Sequence, residues 1–221
     1  MSEIHWTHGP IPCSSCAACD KSGDDLLTAC SNPLRVLSLW QPWATLVVAT
    51  DPYKAPRFAG PKEWETRSWK PWLSLPFQVV IHAAKQYSLL NRTHFTRSPF
   101  STALERCGFY PGDPRSTSKK SQPPAHQRRV PLGALIGTAT VRAVVTTEEW
   151  LKSRQAEDPS AATWSTERVF GNYDRGRFAW QLTDAFEFVE PIPFVGKQEP
   201  LYAVDRETFA KVSAAKLRIA A

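Results

Sequence analysis

Between Gly60 and Trp69 the chain reads Gly-Pro-Lys-Glu-Trp-Glu-Thr-Arg-Ser-Trp, which puts a lysine, two carboxylates, a guanidinium and two indoles within ten residues. If this stretch is extended, Glu63, Glu65, Arg67 and Trp69 share one face, and Trp64, Thr66 and Ser68 take the other. Glu65 and Arg67 are then neighbours on one side. A carboxylate placed there can accept a hydrogen bond from an exocyclic amine such as cytosine N4, and a guanidinium offers forked donors to phosphate or to the carboxylate itself. The same two residues can equally serve as a Glu–Arg pair that fixes two strands. Lys62, at the joint between loop and strand, can reach either face or is an ordinary solvated lysine. Trp40, Trp43 and Trp69 can stack a base, although most tryptophans in a domain of this size belong to its core. His82 is either a structural imidazole or a ligand contact, and Lys85 either meets phosphate or is simply solvated. Tyr173, Arg175 and Arg177 surround Gly176, where a tight turn would present them together.

A second constellation lies at the start. Cys13, Cys16 and Cys19 form a C-x2-C-x2-C run, Cys30 follows, and His5 and His8 precede them. Thiolates two residues apart can ligate one zinc ion or part of an iron–sulfur cluster. Against a metal site, Ala and Ser surround the thiols, Gly23 is the one turn-former between the third and fourth, and no hydrophobic frame for a mini-domain is present. The plainer expectation is a flexible Cys-rich leader over residues 1–32 with no cofactor, followed by one domain over 33–221. A structural disulfide is disfavoured by a compartment that reads as reducing. Cys107 stands alone as a buried or idle thiol.

The elements that must position these residues follow from periodicity. Strands are expected at 34–39, 63–69, 77–83, 133–145, 177–182, 186–189, 192–195 and 201–204. A helix is expected at 43–49, with Trp43, Leu46 and Val47 on one side, and one or two more within 86–106. Thr146-x-x-Glu149 is a capping box that starts a helix at Trp150, and Asp205 caps a C-terminal helix with Phe209, Val212, Ala215 and Ile219 at helical spacing. Many strands, few helices and no alternating βαβ period favour an α+β fold, a small barrel with flanking helices. Of 221 residues, 27 are Lys or Arg and 21 are Asp or Glu, and residues 1–32 carry a net −3, so the folded part is the basic part. Arg115, Lys119, Lys120, Arg128 and Arg129 share a Pro/Ser/Gln-rich stretch at about 110–130 that has the composition of a mobile loop and can act as a phosphate-contacting arm. No apolar run approaches the length of a membrane span, and the start lacks the apolar middle of a secretory signal, so a cytoplasmic location without membrane contact is expected.

Three stretches in order, residues 37–44 (Leu-Ser-Leu-Trp-Gln-Pro-Trp-Ala), 60–69 and 81–85 (Ile-His-Ala-Ala-Lys), resemble the ASCH domain of the PUA-like superfamily. Residues 132–137 and 173–180 extend the resemblance over roughly 34–205, with an insertion before Gly60 and a longer segment at 98–130 than such domains need. The resemblance implies a PUA-like mixed β-barrel whose cleft beside the first helix binds RNA or a nucleotide, and it adds Gln41 and Pro42 to the ligand-binding set. One branch of the family resembles an amidohydrolase of acylated cytidine that uses a lysine, a threonine three residues later and a downstream glutamate. Lys62 matches the lysine, but Glu65 stands where the threonine would be, and Thr66 should point away from it; Glu65 can still act as a general base on water, so Lys62 and Glu65 are the catalytic candidates that the resemblance implies. The expectation is therefore a binding module for RNA or a modified nucleotide. The alternatives are a hydrolase of an acylated nucleoside, a ribonuclease using Lys62 and His82, or a protein-interaction scaffold.

Overall fold

A computed structural model describes residues 34–52, 60–86, 88–118, 122–160, 166–199 and 201–218. Cys13, Cys16, Cys19 and Cys30, the leader they define, and Lys119 and Lys120 lie outside the described residues. Six strands, β1 (Arg35–Leu39), β2 (Trp64–Arg67), β3 (Phe77–Ala83), β4 (Ala134–Thr146), β5 (Phe178–Pro193) and β6 (Leu201–Ala203), form one sheet in the order β2-β5-β4-β3-β1-β6. β1 and β3 run parallel and the other neighbours antiparallel, so the sheet is mixed. The helices are α1 (Trp43–Val48), α2 (Leu89–His94), α3 (Phe100–Arg106), α4 (Thr147–Glu157), α5 (Thr166–Val169) and α6 (Arg206–Ser213). This is the α+β arrangement expected from the sequence.

The sheet curls into a half-barrel. Laid flat, β2 and β1 would be four strand spacings apart, about 19 Å, farther than a side chain spans. Yet Arg67 Nη2 on β2 donates to Ser38 O on β1 at 2.9 Å. Register shifts in β3 between Ile81 and His82, and at three places along the β4–β5 pair, supply the bend. Inside the curl pack Leu37, Leu39, Ile81, Val141 and Trp180, together with Ala44, Val47 and Val48 of α1. The outer face carries Val36, Val80, Leu135 and Phe188, packed with Tyr202 of β6 and Val212 of α6.

Five local features differ from the sequence reading. α6 stops at Ser213, so Ala215 lies past its end, and Ile219 lies outside the described residues. α1 is buried from Ala44 to Val48, because it is sandwiched: Trp43 and Leu46 face Phe95, Phe100 and Leu104, whereas Val47 faces the sheet. The expected strands 177–182, 186–189 and 192–195 are one bent strand, β5. The gap between the first two is a bulge in which Asp184 takes φ 48°, a conformation that Asp tolerates better than most residues. The capping box of Thr146 and Glu149 is present, and its helix starts at once, at Thr147. The basic stretch is partly packed: Arg128 pairs with the buried Glu187 and lies over the Phe109 ring, and Arg129 donates to Pro114 O and Ser116 O. Buried Glu187 and a row of loop carbonyls needed donors, and these arginines supply them. Cys107 is buried as expected, and burial pushes its thiol up to about 12, which keeps it protonated and inert.

Gly60 fixes where β2 begins. A Cβ there would stand 2.5 Å from Leu46 O and closer still to Val47 O, so only glycine lets this loop run against the last turn of α1. Two residues on, Lys62 N donates to Leu46 O at 3.0 Å, which locks the loop in place. Gly60→Ala should therefore cost at least about 1–3 kcal/mol, as overpacking against backbone does. Thermal melts should show a fall in Tm of several degrees; an unchanged Tm would mean that the loop relaxes freely.

Candidate functional site

β2 pairs with β5 on one side only, so its other edge leaves backbone groups that need partners. Side chains provide them. Glu167, on the short helix α5, accepts from Glu63 N at 2.8 Å and Trp64 N at 3.0 Å. Lys62 Nζ donates to Trp64 O, and Arg177 Nη2 donates to Thr66 O at 3.2 Å. Thr66 Oγ1 accepts from Asn172 N at 2.9 Å, on the face opposite Glu65. Strand alternation thus holds as the sequence implied, with Trp64 against Trp150 on that opposite face.

The remaining charges form a chain. Lys62 Nζ lies 3.5 Å from Glu65 Oε2 and 3.9 Å from Glu167 Oε1, and Glu65 Oε1 lies 3.1 Å from Arg67 Nε. A buried ammonium needs paired carboxylates to offset its desolvation, and removing one partner of such a pair typically costs about 3–5 kcal/mol. Exposure rises along the chain: the side chains of Lys62, Glu65 and Arg67 are 0%, 12% and 21% exposed. Arg67 is therefore the end most open to solvent, and Lys62 acts on Glu65 rather than on anything in solvent. Arg67 closes the seam to β1, where Ser38 runs past the end of β6, which pairs only with Arg35 to Leu37. Tyr173 is buried against Trp150, and burial, then the charges of Glu167 and Glu65, push its phenol up, so it stays neutral.

The other expected residues are dispersed. Trp40, two residues past Ser38, is 56% exposed, and Trp69, two residues past Arg67, packs edge-on against Trp180. Gln41 is buried: its Oε1 accepts from Thr45 N, and its Nε2 donates to Pro131 O. Pro42 is buried at the start of α1, and Trp43 packs on His94 and Phe100, so these three support the helix. Lys85 is exposed at the end of β3, where its carbonyl accepts from Arg115. The Gly176 turn, at φ 78°, does not gather its neighbours: Arg175 points to solvent, Tyr173 points inward, and Arg177 is engaged with Thr66 O and Asn172 O. His82 shares a hydrogen bond with Ser38 Oγ at 3.0 Å, but both side chains lie on the outer face of the sheet, under Phe194 and Gly196. It does not join Glu65 and Arg67.

A groove of about 450 Å³ reaches the same network from the other side, lined by Asp51, Arg106, Thr102, Thr166, Glu167 and Phe170 among others. Asp51 and Arg106 neutralise each other across it. Among the described residues, no group of three or more His, Cys, Asp or Glu is placed to hold a metal ion, and no helix is long and apolar enough to cross a membrane.

No protein-family model and no curated protein matches the chain. Among solved structures, ASCH from Zymomonas mobilis aligns with a TM-score of 0.44 and 18% identity, over 83% of this chain and 96% of that one. Its serine-to-alanine and tyrosine-to-phenylalanine variants align at 0.43 and 17%, over 84% of this chain and 99% and 100% of theirs. The chain is similar to ASCH structures. What each residue does rests on the geometry above. The ASCH-like motifs carried Lys62, Glu65 and Arg67, but neither Glu167 nor Trp72. Glu167 lies a hundred residues from β2 in an element of four residues, and Trp72 sits in a stretch with no periodicity.

Burial lowers the His82 pKa, offset in part by the Phe194 backbone, so the folded state favours the neutral imidazole. A depressed folded pKa contributes stability above the unfolded value of about 6.5 that is lost as pH falls through the folded value. His94, lowered by burial and by Arg97, adds in the same direction. Urea midpoints measured from pH 8 to pH 5 should therefore fall on the acid side, and His82→Asn should flatten that fall; an equal slope in both proteins would contradict the assignment.

Proposed function

We propose that this protein binds a nucleotide, in RNA or as a modified nucleotide, at the seam between β1 and β2, with Glu65 and Arg67 as the recognising pair. The observation that carries this reading is the 3.1 Å contact between Glu65 and Arg67 on the inner face of the half-barrel, with Arg67 partly open to solvent. Glu65 is oriented to accept from an exocyclic amine, and Arg67 keeps donors for a phosphate or a base carbonyl. Trp69, edge-on to the Trp180 that faces Glu65, supplies an apolar rim. The excess of Lys and Arg over Asp and Glu, 27 to 21, favours a polyanion. A hydrolase using Glu65 as base is the second reading, favoured by the Lys62 ammonium 3.5 Å from that carboxylate. Thr66 offers it no nucleophile, because its hydroxyl is engaged with Asn172 on the opposite face.

Glu65→Gln keeps the shape and removes the charge, and Lys62 retains Glu167 and Trp64 O. Binding of cytidine monophosphate and of a short RNA should weaken by about 1–3 kcal/mol, with no turnover of acylated cytidine or RNA in either protein. A loss of turnover of roughly 10²–10⁴ at near-normal affinity would instead make Glu65 a general base. Arg67→Lys, which keeps the charge but loses the planar fork, should also weaken binding. Affinity like that of the wild type in both folded variants would remove the seam as the site.

A further inference from the structure

Trp180, buried, faces Glu65 directly across the β2–β5 pair. Trp69 meets it edge-on with ring centroids 4.7 Å apart, and Trp72 stacks on Trp69 at 5.6 Å with 29° between the planes. The three indoles form a column that starts in the core beside Glu65 and ends at Trp72, which is 62% exposed. From this column we infer that Trp72 is a base-stacking platform, and that the ligand of this site is a single-stranded polynucleotide rather than a free nucleotide. The inference rests on the reading that the Arg67 end of the seam binds a nucleotide, and it extends that site outward.

The physical case has three parts. The inner ring of the stack, Trp69, packs edge-on against the buried Trp180 and against the core inside the curl. Trp72 is thus held on a rigid support, so a base that stacks on it orders little that is not already ordered. Its exposure means that the core does not need the ring in full. An exposed indole accepts any base through its π-face, so the platform is tolerant of sequence. Finally, the charge nearby suits a strand. Arg67 stands two residues before Trp69, and Lys70 lies between Trp69 and Trp72, with Glu149 near enough to feel its charge. A backbone crossing from the seam to the platform passes these cations.

The test compares cytidine monophosphate, tetracytidylate RNA, its DNA counterpart and a proline octapeptide, titrated into wild-type protein, Trp72→Ala and Trp72→Phe. The peptide is included because proline-rich segments also dock on indoles. The RNA and DNA arms identify which strand is held. Wild-type protein should bind the tetranucleotide more tightly than the mononucleotide. Trp72→Ala should lose roughly 5- to 150-fold of tetranucleotide affinity and leave the mononucleotide within about two-fold, and Trp72→Phe should recover most of the loss. Trp72→Ala binding the tetranucleotide as wild type does would overturn the platform, as would Trp72-dependent binding of the peptide alone. Tetranucleotide binding that depends on Trp72, with no mononucleotide binding, would keep the platform and remove the seam; binding of neither would remove both.

Discussion

Among the described residues no strand neighbours the outer edge of β2, and its backbone groups must still be hydrogen-bonded where water is scarce. Everything at the candidate site follows from how that demand is met. A carboxylate from α5 takes two N–H groups, a lysine ammonium takes one carbonyl, and a guanidinium from the Gly176 turn takes another. Putting the ammonium of Lys62 there creates a second demand, since a fully buried cation needs anions close by, and Glu65 and Glu167 meet it. Glu65 in turn holds Arg67, and Arg67 ties β2 to β1. The half-barrel is thus shut along one seam by side chains in place of a strand.

A seam shut by side chains can respond to a ligand as a strand ladder cannot. Ladder bonds are lost only when the sheet opens, whereas a guanidinium can exchange one acceptor for another at little cost. Within the network the demands differ. Lys62 is enclosed and serves the fold; Arg67 is the most exposed of the three on the inner face and has donors to share; Glu65 stands between them. On the proposed reading recognition and stability meet at Glu65, so its variants have to be read for folding as well as for binding.

The inner face of β2 was legible in the sequence because a period of two needs only four residues to declare itself: Glu65 and Arg67 fall together, and Thr66 falls away. The capping box at Thr146 and the Asp205 cap were legible for the same local reason. What the sequence hid was non-local. Glu167 bonds to residues about a hundred positions away from a four-residue helix, and no periodicity marks it. His82 follows the strand alternation, but only the curl of the sheet and the 193–199 segment decide that its face is the covered one. The arginines of the basic stretch looked solvated because the acid that binds Arg128, Glu187, comes from a strand nearly sixty residues on. The bulge at Asp184 was hidden too, because the gap between the expected strands, from 182 to 186, does not say whether the chain turns or only bends there.

The most direct measurement is a nuclear magnetic resonance titration of the nitrogen-15-labelled protein with cytidine monophosphate, following the Arg67 Nε–H, the Trp69 and Trp180 indole N–H groups, and the Gly176 amide. The account predicts saturable shifts at Arg67 and at the two indoles, with Gly176 unmoved, because Arg67 is the open end of the seam and Gly176 is held by Glu148 at the far side of Thr147. Shifts centred on Gly176 or confined to residues 115–129, with the Arg67 resonance unchanged at saturation, would contradict it.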